Sequence, residues 1–476
     1  MSTLYARIAD HYLQALQAGT LRAGDRFPSV RQLMRTHEVS LSTALQACRR
    51  LEEAGWLEAR ARSGYFVARP RRQALPPAAG PGTRAIDPAA YVGISAHVSA
   101  ILARGQQQAV GVNLALAVAP PPMYPADALA GIMRRRLLQA PRLLTTMTRR
   151  HGNPLLRTAL ARRALERGIT AAPEEIIVTQ GCIEAVNLAL RAVTQPGDTV
   201  AVESPTFYGL LQILEGLGLR AVELPTHPKD GLSVEALSFA LDSDPSLRAV
   251  VVMPTLHNPL GCTMPDERKA ALVALCAARG VPLIEDDIYG ELLAQPPRTL
   301  KSFDTGGDVI HCGSLNKVLA PGLRLGWMLA GRWQARAEML KYTLSRFPEE
   351  LGQAAAAEFV ASPAYERHLR RLRDTLRSHR EAYADQVAAH FPAGTRLTLP
   401  DGGLLLWLQL PDGASGDALF TRALAHGIQI APGSMFSTGR RYDHCIRLGC
   451  GRAPDEELLA ALKRLGRMVD GPARGR

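Results

Sequence analysis

Lysine is scarce. There are six in 476 residues, at positions 229, 269, 301, 317, 341 and 463, so nearly all of the 56 basic residues are arginine. No run of eighteen or more apolar residues exists. The longest uncharged stretch, 106–126, contains Asn113 and four prolines, which excludes a membrane helix there. The N-terminus has no apolar leader core, since Arg7, Asp10 and His11 come at once. The seven cysteines form no CxxC pair, which argues against a disulfide framework and a structural zinc site and fits a reducing, cytoplasmic setting. No internal repeat is found. With 47% apolar and 21% charged residues, the chain is neither disordered, collagenous nor a coiled coil.

What is present is long enough for two to four domains. The net charge is +12, and half of it falls in residues 1–72, where twelve Arg face six Asp plus Glu. A basic terminal segment suggests a polyanionic partner, although arginine-rich usage runs through the whole chain. Leu4, Ile8, Tyr12, Leu13 and Leu16 follow a helical period. Pro28-Ser29 opens a second helix, a turn at Val39-Ser40 leads to a third, and WLEARARSGYFVARP alternates like a hairpin around Ser63-Gly64. Helix, helix-turn-helix and β-wing together predict a winged helix-turn-helix over residues 1–72. Its second motif helix would present Ser40, Ser42, Thr43 and Gln46 to a major groove. Arg31, Arg49, Arg50, Arg60 and Arg62 would neutralise phosphates. The segment resembles the GntR-type winged helix domain through GDRFPSVRQL, VSLSTALQACRRLEEAGWL and RSGYFV. The resemblance implies that Arg31, Ser42, Thr43 and Gly64 lie at contacts with double-stranded DNA. Leu41 departs from it, standing where many such domains carry Arg.

Residues 73–110 are expected as a linker, Pro/Gly/Ala-rich at first and then helical to about Gln107. From 111 to 476, short apolar strands alternate with amphipathic helices: EIIVTQG, DTVAVES, RAVVVMP, VPLIEDD, DVIHCGS and RLGWMLA. This pattern predicts an α/β domain on a mostly parallel sheet, with a long charged helix after Ser362 and a strand-rich end.

Lys317 closes one of these strands in HCGSLNKVLAPGLRLGW, with Ser314 three residues before it and Arg324 seven after. A lysine fixed at a strand end suits a Schiff-base amine, and the flanking hydroxyl and guanidinium suit a phosphate clamp. In EIIVTQGCIEAVNLAL, the backbone N–H groups of Gly181, Cys182 and Ile183 open a helix and would cradle a phosphate. IEDDIYGEL places paired carboxylates at a strand end. Asp286, or alternatively Asp287, would pair with a pyridine nitrogen, and Tyr289 and Asn258 would reach the ring hydroxyl. Phe207 offers a stacking plane. Together these point to pyridoxal 5′-phosphate.

From about residue 111 to its end the chain resembles the fold-type I, class I aminotransferases. The resemblance implies Lys317 as the cofactor lysine, Asp286 at the pyridine nitrogen, and Asn258 and Tyr289 at the ring oxygen. It implies Phe207 as the stacking plane, Ser314, Asn316 and Arg324 on the phosphate clamp, and Arg447 as the grip on a substrate α-carboxylate. Met147 departs from it, standing where relatives often have a Tyr that reaches the partner subunit. The two parts in this order resemble the MocR subfamily of transcription regulators. The implied protein is a cytoplasmic homodimer that holds pyridoxal phosphate, binds a DNA operator, and takes an amino acid or amine as effector. A working aminotransferase with an ancillary DNA-binding domain is the competing reading.

Overall fold

The computed structural model describes residues 4–17, 20–21, 24–53, 56–60, 64–67, 75–80, 87–147, 149 and 151–469. The chain divides into two compact units, residues 1–74 and 75–476.

The first unit contains helices α1 (Leu4–Gln17), α2 (Val30–His37) and α3 (Leu41–Glu53), followed by strands β1 (Leu57–Arg60) and β2 (Gly64–Val67). Its core is small: Ile8, Leu16, Phe27, Leu33, Cys48, Leu51, Leu57 and Val67 pack together. β1 and β2 form an antiparallel wing, and residues 24–27 add to it through Phe27 N–H to Tyr65 O and Val67 N–H to Asp25 O, both at 2.9 Å. α2 begins in a capping box, in which Ser29 and Gln32 satisfy each other's backbone N–H groups. The Ser63 half of the expected turn, and Arg62, lie outside the described residues.

In the second unit, β3 (Ala90–Tyr91), helix α4 (Ser95–Gln107) and β4 (Val112–Asn113) come first. Helices α5 (Ala126–Gln139) and α6 (Pro154–Leu165) lead to β5 (Ile176–Thr179) and α7 (Cys182–Val193). Then come β6 (Thr199–Ser204), α8 (Tyr208–Gly216), β7 (Arg220–His227), β8 (Gly231–Leu232), β9 (Leu247–Val252), β10 (Leu283–Asp287), β11 (Val309–Ser314) and β12 (Gly326–Leu329). The main sheet has the order β3-β7-β6-β9-β10-β11-β12-β5. The run from β7 to β11 is parallel, whereas β12 is antiparallel to both neighbours and β3 is antiparallel to β7. β5, β6, β10 and β11 are almost wholly buried, as helices on both faces require. After the 28-residue helix Pro363–His390 come β13 (Arg396–Leu397), β14 (Leu405–Gln409), β15 (Ile428–Gln429), β16 (Ala431–Pro432) and β17 (Cys445–Gly449). They form an antiparallel sheet β13-β14-β17-β16, while β15 pairs with β4.

The expectation of a linker over 73–110 differs from the structure. From Leu75 the chain belongs to the second unit. Pro76 O accepts from Leu397 N–H, β3 joins the main sheet, and Val92, Ile94, Val98 and Ile101 are buried in its core. The Glu215 carboxylate accepts from Ile94 and Ser95 N–H at 2.7 and 2.8 Å, capping the start of α4. Pro and Ala composition signals a linker, but long-range burial decides the outcome. Among the described residues, no helix is long and apolar enough to cross a membrane.

Candidate functional site

In an open parallel sheet, ligands collect beyond the carboxyl ends of the strands. Here those ends deliver Gly181 after β5, Phe207 after β6, Asn258 after β9, Asp286 on β10 and Lys317 after β11. Phe207, Asn258, Asp286 and Lys317 line a cavity of about 340 Å³, which also receives Tyr289, Asn316, Arg324 and, from β17, Arg447. Cys182 and Ile183 line it at the start of α7.

The two candidate aspartates separate cleanly. Successive strand residues point to opposite faces. Asp286 faces the cavity, where its Oδ1 accepts from Cys182 Sγ at 3.1 Å and from Ile288 N–H at 3.3 Å. Burial pushes its carboxyl up to about 6. Asp287 faces away and is held by both arms of the Arg167 guanidinium, in a buried pair near His311. Of the two, only Asp286 is open to the cavity.

Lys317 Nζ donates to Ala117 O at 2.6 Å and lies 5.5 Å from the centre of the Tyr289 ring. Burial, with help from the Arg447 charge, pulls its amine down to about 8. Arg447 is 2% exposed. Its guanidinium donates to Asn258 Oδ1 at 2.9 Å and to Ala115 O at 2.5 Å, and sits 5.0 Å from the Phe436 ring centre. Its Nε has no partner among the described residues. A buried cation bonded only to neutral groups calls for an anion, so the strand salt bridge that would make Arg447 merely structural is not what the structure shows. Asn258, fixed by Arg447 through its oxygen, keeps its amide nitrogen for a ligand.

Gly181, Asn316 and Arg324 come together at the N-terminus of α7. Gly181 has φ +95°, and a Cβ there would lie 2.9 Å from Asn316 Nδ2 and 3.0 Å from an Arg324 nitrogen. Arg324 itself takes a left-handed φ of 52° and donates to Gln180 O at 3.2 Å. A helix start, an amide and a guanidinium thus converge around a glycine whose positive φ disfavours any side chain, an arrangement of donors suited to an anion. Phe207 lines the cavity beside Tyr208, with ring centres 4.8 Å apart.

Ser314 does not line the cavity. Its hydroxyl donates to Leu325 O at 3.0 Å and accepts from Asn316 N–H at 3.1 Å, so it shapes the loop that carries Asn316 and Lys317. Sequence reasoning missed Tyr208 and the 115–118 segment, which also line the cavity. Tyr208, directly after Phe207, was within reach of the same reasoning. The 115–118 segment offers backbone and small side chains, and no motif marks it.

In the first unit, Arg31 is exposed on α2. At the start of α3, Ser40 Oγ bonds to Ser42 Oγ at 2.9 Å and to Thr43 Oγ1 at 3.0 Å, and accepts from Thr43 N–H at 3.3 Å. Ser40 is thus the helix cap, and it arrays the two hydroxyls on the first turn. Gly64 opens the wing strand β2 at φ +92°, a conformation that favours glycine. Arg50 faces Asp10 at 3.4 Å in an exposed pair. Among the described residues, no cluster of metal-ligating side chains occurs.

Residues 124–465 match the family model "Aminotransferase class I and II", and residues 4–67 match "Bacterial regulatory proteins, gntR family". The chain is 36% identical over 472 residues to the uncharacterized HTH-type transcriptional regulator YjiR of Escherichia coli, covering 98% of this chain and 99% of that protein. It is 27% identical over 424 residues to the probable rhizopine catabolism regulatory protein MocR of Rhizobium meliloti, covering 87% and 83%. Among solved structures it is similar to LysN, the α-aminoadipate aminotransferase of Thermus thermophilus complexed with N-(5′-phosphopyridoxyl)-L-leucine. That match has 25% identity and a TM-score of 0.71, and covers 80% of this chain and 95% of that one.

Proposed function

The chain belongs to the MocR subfamily of GntR-type transcription regulators, a helix-turn-helix domain joined to a class I and II aminotransferase domain, and from that premise we propose that its large unit is a pyridoxal phosphate-dependent sensor of an amino compound. The observation that carries this reading is Arg447. A buried guanidinium without an acidic partner faces the same cavity as a lysine amine brought down to about 8.

Bound pyridoxal phosphate supplies an aldehyde carbon that amines attack and a ring that draws off electron density. The residues present fit it. Lys317 offers an amine that is half neutral near pH 8, so near neutral pH it has a far larger nucleophilic fraction than an ordinary lysine. Asp286 offers a carboxylate whose second oxygen is free to accept a proton-bearing nitrogen, while the Cys182 thiol occupies the first. Asn258 and Tyr289 would orient the ring oxygen, and Gly181, Asn316 and Arg324 would hold the phosphate. Arg447 would take an amino acid's carboxylate in a two-armed pair and so hold its amine near Lys317. Effector binding changes DNA affinity only if it favours one conformation of the protein over another. In the first unit, Arg31 would anchor a phosphate of a double-stranded operator, with Ser42, Thr43 and the Gly64 wing beside it. The protein would act as a cytoplasmic homodimer on two half-sites.

Lys317 and Asp286 favour a second reading, aminotransferase turnover, because both are set as that chemistry requires. The deciding experiment measures transamination and binding to the gene's upstream DNA on one full-length preparation, with a panel of amino acids. Effector-dependent DNA binding with negligible turnover supports the sensor. Fast turnover with DNA binding indifferent to every amino acid overturns it.

A further inference from the structure

A second cavity of about 260 Å³ lies in the large unit, and shares no lining residue with the cofactor cavity. Pro205, Pro225, Leu260 and the Trp407 ring give it an apolar wall. Its polar rim carries Arg441 and His444, and no carboxylate is among its lining residues. Arg441 pairs with Asp87, which is itself exposed, so the guanidinium keeps donors for another anion. Burial holds the His444 imidazole below its ordinary range, so it serves as a neutral hydrogen-bonding group. The nearby Glu223 carboxylate is already satisfied by Ser204, Ser437 and Thr438.

The roof is residues 78–80. Two bonds tie it down, Ala78 N–H to Thr398 Oγ1 and Ala79 N–H to Gln409 Oε1, both at 3.0 Å. Along the chain the roof lies only a few residues after the boundary of the DNA-binding unit at Ala74. The floor connects to the cofactor site. Trp407 stands edge-on to Phe436, with ring centres 5.4 Å apart, and Phe436 lies under Arg447. Leu260 is two residues beyond Asn258, and Pro205 two before Phe207.

We propose that this cavity is a second small-molecule site, which takes a carboxylate with a flat apolar body: the carboxylate on Arg441, the body against Trp407 and the prolines. A ligand there touches both the segment leading to the DNA-binding unit and the layer that holds Arg447. Its effect on DNA binding rests on the sensor reading; its existence does not.

Sodium benzoate titrated calorimetrically into the cofactor-loaded full-length protein tests the site. The expected result is saturable binding at millimolar or lower concentration that leaves the visible cofactor band unchanged. Arg441→Glu should weaken it by about tenfold or more. In hydrogen exchange, benzoate should slow the Ala78 and Ala79 amides several-fold in wild type and leave them unchanged in Arg441→Glu. No binding up to about 10 mM overturns the proposal. So does an isotherm identical in Arg441→Glu, or binding that shifts the cofactor band and so places benzoate at Arg447. Arg441 is on the rim, so the variant should fold; Arg441→Gln, with a smaller loss of affinity, is the check.

Discussion

At the residue scale, two neighbouring aspartates carry opposite duties. Asp287 is buried against Arg167, and removing one member of such a pair leaves an uncompensated charge. Asp287→Ala should therefore cost about 3–5 kcal/mol in chemical denaturation. Asp286 is the reverse case. Its carboxyl is raised to about 6, so its favourable contribution is complete below about pH 4 and is lost as the pH rises through 6. Without cofactor, Asp286→Asn should thus be more stable than wild type above pH 6, by about 1–3 kcal/mol, and the gain should vanish near pH 4. With cofactor, the same variant should bind it more weakly. Equal losses from both substitutions at pH 7 would contradict the assignment. The sequence alone leaves the pair undecided, because alternation tells that they face opposite ways but not which face is the cavity. It also puts Ser314 on the clamp, since spacing shows a hydroxyl near the lysine but not that Leu325 and Asn316 have already engaged it.

Lys317 gives a second pH signature. An amine brought down to about 8 is half neutral there, whereas an ordinary lysine is half neutral near 10.4. The rate of covalent cofactor capture, followed by the visible band and fixed by borohydride, should rise with pH to a plateau with a midpoint near 8. A midpoint near 10 would show that burial does not govern this amine.

At the element scale, the proposed phosphate cradle depends on the turn between β5 and α7. Gly181→Ala forces a Cβ into Asn316 and Arg324 at positive φ, so cofactor affinity should fall by about tenfold or more in spectroscopic titration, with little change in the first unit. The strands that carry site residues were legible as the short apolar runs EIIVTQG, DTVAVES, RAVVVMP, VPLIEDD and DVIHCGS. β7 was not, because RAVELPTH mixes polar residues into a buried strand, with Glu223 buried by virtue of its four hydrogen bonds. The antiparallel sense of β12 was not legible either. A strand's direction depends on its connection, and its own residues look the same both ways.

At the scale of the whole molecule, the two-part organisation was legible from charge, period and motif order. The end of the first unit was read at 72 and lies at 74, but the start of the second was not legible, since residues 75–107 read as linker yet bury Val98 and Ile101 in the large unit. The DNA-binding role predicts a salt signature. Arg31→Ala should weaken operator binding and make log K about one unit less steep in log salt, as the loss of one phosphate contact requires. An unchanged slope and affinity would remove Arg31 from the interface.

The central claim is that an amino compound gripped by Arg447 controls DNA binding. It is tested most directly by operator affinity measured with and without the amino acid that wild type responds to, on wild type and Arg447→Lys. The substitution keeps the charge but loses the two-armed pair. The account predicts that the variant keeps its cofactor band and its basal DNA affinity but loses the response at effector concentrations that saturate wild type. A variant that responds like wild type at the same concentrations would contradict it.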